Sequence, residues 1–419
     1  MKKIILFILV TLSPFTQALT AHCGHMFDAH KGKMLSDIYI AVEEGVFTQV
    51  EKYTGQKVEM DWSDKYCLPG LIDMHTHISS EFSKNSYSEK FQLNEADYAF
   101  RSTVFAKRTL QAGFTTVRNL GDDFNVTIAL KKAINKGLVQ GPRIYTAGKS
   151  LATTGGHADP TNGYRQGLLP NPGPKSGVIN GVAEAAQAVR QRYQDGADLI
   201  KITATGGVLS QASSGDNAQF NMDELKSIIA TASDYGFKVT AHAHGKAGMK
   251  RAIIAGVASI EHGTYLDDEI IKLMKKHGTY LVPTLIAGEW VTDKSKIAGF
   301  FPAVVAQKAA TIGPKIAGSF EKAHKAGVNI AFGTDSGVSA HGDNAQEFAL
   351  MVKAGMSPLK AIQSATVNAA TLLGQSDYLG SIEVGKFADM VVLAENPLEN
   401  ITAIEKISTV IKAGKIEFN

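Results

Sequence analysis

Residues 65–78 read KYCLPGLIDMHTHI, a turn followed by an apolar run that closes on two histidines. Pro69-Gly70 punctuates the chain, and Leu71–His77 then reads as a short buried strand. Side chains alternate along a strand, so His75 and His77 point to the same face. Alone, two histidines one residue apart are weak evidence, because a pair of core or exposed histidines gives the same pattern. Other metal-binding residue types, however, close other short apolar runs. They are Lys201 in DLIKITATGG, His242 in VTAHAHG, His262 in SIEHG and Asp335 in IAFGTDSG. A metal held by residues so far apart in sequence needs a scaffold that gathers strand ends. A (β/α)8 barrel does this at the C-terminal ends of its strands.

The middle of the chain alternates as such a barrel requires. Candidate strands are Leu71–His77, Thr115–Leu120, Arg143–Gly148, Leu199–Ala204, Lys238–His244, Ser259–Gly263, Tyr280–Thr284 and Asn329–Thr334. Helical spacing of apolar residues predicts helices between them, over Ala96–Ala112, Val182–Asp195, Met222–Tyr235, Gly245–Ala255 and Phe301–Ala326. In QAGFTTVR, QDGADLIK, DYGFKVTAH and KAGVNIAF a glycine separates a helix from the next strand, the expected C-terminal stop. The connection 151–181 is long, aperiodic and rich in Gly, Pro and Asn, which suggests a binding loop over the barrel mouth. Residues 22–68 and 380–419 have β-like texture, and both ends are expected to pair into one small β-domain beside a barrel at 69–379.

A chain of 419 residues with a formal charge of +3 and no long Lys/Arg block is a poor nucleic-acid binder and an ordinary globular enzyme in composition. The N-terminus reads differently. Lys2 and Lys3, the apolar run Ile4–Leu12 and small residues near Ala18, Thr20 and Ala21 describe a secretory leader over residues 1–21. The run is too short to span a bilayer as a mature helix. Export, most simply to the periplasm, follows, with no membrane insertion once the leader is cut. The remaining cysteines, Cys23 and Cys67, then pair as a disulfide or stay as two buried thiols, and both readings are open.

Each candidate has a plainer reading. Lys201, on an apolar strand, either reaches the barrel mouth or an ion pair, or is neutral enough to take up carbon dioxide as a carbamate that bridges two metals. His242 and His262 could each be a hydrogen-bonded core histidine, and His244 shares a face with His242 as a ligand, a substrate contact or a support. Asp335 can cap a helix, or bind metal and accept a proton from water. All of these at successive strand ends are hard to explain as separate accidents.

In PGLIDMHTH, IKI, AHAHG, IEHG, GTDSG and the late GKFADMVVL the chain resembles, in order and over nearly all of its length after the leader, the amidohydrolase superfamily with a binuclear metal centre. The resemblance implies a distorted (β/α)8 barrel beside a small β-sandwich made from both chain ends. It implies that His75, His77 and Asp335 hold one divalent ion and His242 and His262 a second, zinc being a suitable metal. Carbamylated Lys201 and a hydroxide would bridge them, with Asp335 as the proton carrier. NLGDD, PRIYTAGKSLATTGGHADP and SIEHGTYLDDE are similar to the branch containing prolidases, Xaa-Pro dipeptidases and enzymes that cleave before Arg or Lys.

On that footing the substrate is a dipeptide or N-acyl amino acid. His157 in the long loop either polarises the substrate carbonyl or stabilises the loop. Tyr265, Tyr164 and Arg165 are candidates for the substrate carboxylate, Arg being suited to bidentate binding. Arg118 is a further candidate, or a structural ion pair. Rival readings are hydrolysis of a cyclic amide, as in imidazolonepropionase-like relatives, or of a lactone or phosphoester, and, from another class, a non-catalytic metal-binding protein. The oligomeric state, a homo-oligomer included, is not fixed.

Overall fold

The computed structural model describes residues 19–419, so most of the expected leader lies outside the described residues. In chain order the strands are β1 (Leu19–Asp28), β2 (Lys33–Glu43), β3 (Val46–Lys52), β4 (Met60–Pro69), β5 (Leu71–Thr76), β6 (Phe114–Asn119) and β7 (Arg143–Thr146). They continue as β8 (Ile200–Thr203), β9 (Val239–Ala243), β10 (Ser259–His262), β11 (Tyr280–Val282), β12 (Met390–Leu393), β13 (Ile407–Lys412) and β14 (Lys415–Phe418). No helix among the described residues is long and apolar enough to cross a membrane.

Both chain ends meet in one seven-stranded sheet, ordered β14-β13-β12-β4-β1-β2-β3. Its own apolar cluster includes Ile40, Phe47, Trp62, Met390 and Ile411. Cys23 on β1 and Cys67 on β4 form a disulfide inside that cluster. Strand β1 begins at Leu19, and Leu19, Thr20 and Ala21 pair with Val42, Ala41 and Ile40. The small sheet therefore starts three residues ahead of residue 22, the start expected from the leader pattern.

Gly70 passes the chain from β4 into β5. Its N–H donates to Asp389 O at 2.8 Å, and a Cβ there would collide with Thr115 and Asp389. The middle of the chain then forms two parallel sheets, β5-β6-β7 and β11-β10-β9-β8. Strands β5, β6, β8, β9 and β10 are buried throughout, as expected for parallel strands covered on both faces. Backbone bonds join the two sheets at both edges. On one side Leu151 N–H donates to Lys201 O (2.8 Å) and Thr203 N–H to Leu151 O (2.9 Å). On the other, residues 329–336 lie between β11 and β5: Leu281 N–H donates to Asn329 O (2.8 Å), and Met74 N–H to Phe332 O (2.9 Å).

Seven of the expected strands are regular. The eighth, Asn329–Thr334, is instead an irregular segment with an isolated bridge at Ile330, and a second bridge follows it at Ser336. The expected helix over 301–326 is also broken, into Ala303–Ile312, a 3-10 turn at Gly313–Lys315 and Ile316–Lys325. Pro314 explains this, since it lacks an N–H and its ring clashes with the preceding turn. The glycine stops behave as expected, with Gly113, Gly196, Gly236 and Gly327 all at positive φ.

Candidate metal centre and active site

The two sheets bring the singled-out residues to one cavity of about 360 Å3, lined among others by His75, His77, His157, Lys201, His242, His244, His262 and Asp335. At its floor Asp335 Oδ1 lies 3.2 Å from His75 Nε2 and 3.2 Å from His77 Nε2. The ligand atoms of these three residues lie within 4.8 Å of one another. The His262 ring is 5.0 Å from that of His75 and 4.7 Å from that of His242. Buried Lys201 places Nζ 3.5 Å from His75 Nε2.

The backbone is forced to deliver them. Asp335 has φ 60° and His262 has φ 71°, both in the left-handed region. Outside glycine this costs about 1–3 kcal/mol per residue and persists only where the surroundings over-determine it. Asp335 N–H donates to His75 O at 2.7 Å. Buried Asp73 ties the preceding residue down, accepting from Thr334 Oγ1 (2.6 Å) and from Asn344 Nδ2 (2.8 Å).

Partners on the far side of each ring set which nitrogen faces inward. His75 Nδ1 lies 2.9 Å from Glu261 Oε2, His77 Nδ1 3.1 Å from Gly121 O and His262 Nδ1 2.7 Å from Thr284 Oγ1. Nε2 of all three rings is left to ligate. His242 is turned the other way, with Nε2 3.1 Å from Gly206 O. Glu261 is held by Arg118 Nη2 at 2.8 Å, by Ser259 Oγ at 2.6 Å and by Thr240 Oγ1. Arg118 also donates from Nε to Met74 O at 2.7 Å. Arg118 is thus a buried ion-pair partner beneath the floor and not a lining residue of the cavity.

The electrostatics suit a cation. Burial works to raise the Asp335 carboxyl, but His75 and His77 beside it outweigh this and hold it well below the usual carboxylate range. Burial and neighbouring histidines keep His242 far below its ordinary value. His262 is also held far below, by burial and by His75 and His244, against the pull of Asp335. Both rings therefore present neutral lone pairs. Burial pushes Lys201 down to about 8. Three imidazoles, a fourth turned the other way, a carboxylate and a readily neutral amine fit one or two divalent ions.

His157 reaches the same place from the long loop. Its ring stacks on His242 at 4.4 Å, and burial, then His244, pushes it down to about 3. Its Nδ1 is buried with no hydrogen-bond partner. His244 lines the cavity with Nδ1 2.7 Å from Thr264 Oγ1. The other expected substrate contacts are not on this wall. Tyr164 packs on Phe91 (5.1 Å) and lines a smaller neighbouring cavity of about 90 Å3. Arg165 is exposed and donates to Gln166 O at 3.3 Å. Tyr265 sits beneath Lys315 Nζ, 4.9 Å from its ring centre. Glu261 went unnoticed in the sequence, although a carboxylate directly before His262 on a fully buried strand was a usable signal.

Residues 66–416 match the amidohydrolase family. The chain belongs to that family. Ochratoxinase of Aspergillus niger is 35% identical over 366 residues, 83% of this chain and 75% of the relative. Among solved structures, a Xaa-Pro dipeptidase with methionine bound in its active site is 48% identical with a TM-score of 0.93, covering 96% of this chain and 99% of the other. A prolidase complexed with N-methylphosphonate-L-proline is 31% identical with a TM-score of 0.86, again over 96% and 99%. This amidohydrolase thus has hydrolases as relatives over almost its whole described length.

Proposed function

We propose that this amidohydrolase is a metal-dependent hydrolase of dipeptides or N-acyl amino acids, built on a closed (β/α)8 barrel beside a β-sandwich. The observation that carries this is the convergence of His75 Nε2, His77 Nε2 and Asp335 Oδ1 at the cavity floor. His75, His77 and Asp335 would hold one divalent ion, and His242 and His262 a second. Lys201, neutral in part because of its burial, would take up carbon dioxide as a carbamate, releasing one proton and supplying two anionic oxygens to the ions. Zinc suits this donor set. Bound there, the ions would polarise the scissile carbonyl and acidify the attacking water.

The remaining steps belong to the chain's own groups. Ionised Asp335 accepts the proton of the attacking water and delivers it to the amide nitrogen as the C–N bond breaks. The products are a carboxylic acid and an amine. His157, with a free buried Nδ1 above His242, is placed to donate to the carbonyl oxygen as charge builds there. The prolidase-type neighbours support an amide of an amino acid as the substrate.

We also assign export to a compartment outside the cytoplasm, most simply the periplasm. The Cys23–Cys67 disulfide supports an oxidising environment.

The test is hydrolysis of a panel of dipeptides and N-acyl amino acids by the zinc-loaded mature protein, with a chelated control and metal counting. Chelator-sensitive cleavage is expected, together with loss of metal and activity in Lys201→Ala. Two bound metals with no cleavage across the panel would overturn the amide reading in favour of cyclic amides or lactones. Full activity in Lys201→Ala would overturn the carbamate.

A further inference from the structure

The metal-ligand candidates make up only part of the cavity lining. Another part is apolar: Phe82, Tyr87, Val208, Leu209, Val291 and Val338, which share one cluster. These residues belong to a separate apolar cluster with Trp290, Phe301 and Val305, outside the main core. Phe82 meets Tyr87, Trp290 and Phe301 at ring-centre distances of 5.5, 6.0 and 5.8 Å. Such tilted aromatic contacts are favourable and hold the wall in place.

Hydrogen bonds within the chain hold the wall in place. Tyr87 Oη donates to Leu209 O at 2.8 Å. Lys308, on the helix Ala303–Ile312, spends its ammonium on three backbone carbonyls, Gly207 (2.8 Å), Ser210 (2.7 Å) and Ala212 (2.8 Å). This clamp keeps Val208 and Leu209 turned into the cavity. A preformed apolar surface loses little on binding and gains from each apolar group it covers.

Charges around the cavity are mostly spent on each other. Glu89 is paired with Arg101 at 2.9 Å, and Glu81 accepts from His341 N–H at 2.8 Å and lies 3.8 Å from Arg108. Asp123, on the lining near Tyr98, is the carboxylate without such a partner among the described residues. Lys90 is the corresponding cation, on the lining and in no ion pair among the described residues.

We propose that the apolar wall, with Lys90 at its edge, selects amides whose amino-acid part carries a large apolar or aromatic side chain and a free carboxylate. This inference rests on the amide-hydrolase reading above and narrows it. The wall covers the side chain, and the Lys90 ammonium faces the carboxylate. A substrate ending in Arg or Lys would set its cation against this wall, with Asp123 alone to meet it.

The test uses the zinc-loaded protein and a panel Ala-X with X as Phe, Leu, Met, Pro, Gly, Ser, Arg and Lys. Phe, Leu and Met are expected to exceed Gly and Ser by about tenfold or more in kcat/KM, as burial of such a side chain allows. Phe82→Ala should compress that ratio, and Lys90→Gln should raise KM for free acids but not for the matching C-terminal amides. Cleavage with Arg, Lys or Gly preferred would overturn this inference while leaving the hydrolase reading intact. No cleavage at all, with metals bound, would sink the linear-amide reading on which this inference rests. Calorimetry then decides the inference separately: free Phe and Met should bind the holoprotein more tightly than Arg or Gly, and the reverse order would overturn it. The same calorimetry decides the case if Phe82→Ala fails to fold.

Discussion

The floor of the cavity and its mouth are built by different means. On the floor the candidate side chains sit at strand ends or a bridged edge, all but His77 are buried, and most have a partner behind them. His75 is backed by Glu261 and Arg118, His262 by Thr284, and Asp335 by the His75 carbonyl. The mouth comes from loops and from helix faces with no common period: Phe82 to Lys90, Val208 and Leu209, Val291 and Val338. A position at a strand end leaves little freedom, so the chemistry there is over-determined. The mouth can change one segment at a time, which suits it to the selectivity proposed for it. Substitutions on the floor should therefore cost orders of magnitude in turnover, and substitutions at the mouth should shift substrate preference while turnover persists.

The largest effect should follow Asp335→Asn. Asn tolerates the left-handed backbone at this position, so the fold should survive while the negative charge is lost. Loss of the proton carrier predicts a fall in kcat of about 10²–10⁴-fold, checked by steady-state kinetics with circular dichroism as the folding control. Activity within tenfold of the parent would move proton transfer to another group. Next comes Glu261→Gln, which keeps the shape but removes the charge that fixes the His75 ring. Metal affinity should fall by about 10–100-fold, read by competition with a chromophoric chelator. Unchanged affinity would reduce the Arg118–Glu261 pair to a purely structural contact.

This contrast also explains what could be read in the sequence. His75, His77, Lys201, His242, His262 and Asp335 were legible because each closes a short apolar run, and one cavity is where such runs converge. Their supports were harder to see. Glu261 partners a residue 186 positions away, a relation no local pattern carries. The eighth strand, Asn329–Thr334, was readable as apolar but not as irregular, because the positive φ of Asp335 reflects a tertiary demand. Tyr164, Arg165 and Tyr265 have the chemistry for a carboxylate and lie near the motifs, but that alone does not place their side chains. Where a loop side chain points depends on packing, and Arg165 points to solvent.

A smaller effect concerns acid stability, at the junction of floor and mouth. His341 stacks on Phe105 at 4.8 Å and sets Nε2 2.8 Å from Ser80 O. Burial pushes it down to about 4 from an ordinary 6.5. Below pH 6.5 the unfolded chain takes up a proton that the folded one refuses, so stability falls as pH drops from 6.5 to about 4 and the loss stops growing below that. Burial, with His244 for one and Lys308 for the other, likewise holds His157 at about 3 and His244 at about 4, so they add to the same slope. In His341→Gln the slope should be shallower, by about 2 °C in Tm per pH unit across that window, measured by scanning calorimetry on chelated protein. An unchanged slope would mean that His341 is protonated in the folded state.

The smallest expected effect is the one that best tests the division between floor and mouth. Arg165 was the attractive carboxylate ligand on chemical grounds, since its guanidinium can form two parallel bonds. In the structure its side chain is exposed and satisfied by Gln166 O, outside the cavity lining. Arg165→Ala should then change kcat/KM for free-acid dipeptides by less than about twofold, the scale of an ordinary surface substitution. Lys90→Gln, with its cation on the lining, should raise KM for the same substrates. If instead Arg165→Ala raises KM and Lys90→Gln does not, the long loop closes over bound substrate and carries Arg165 inward. Selectivity would then belong to a moving segment, and the apolar wall would act as a resting surface that substrate meets first.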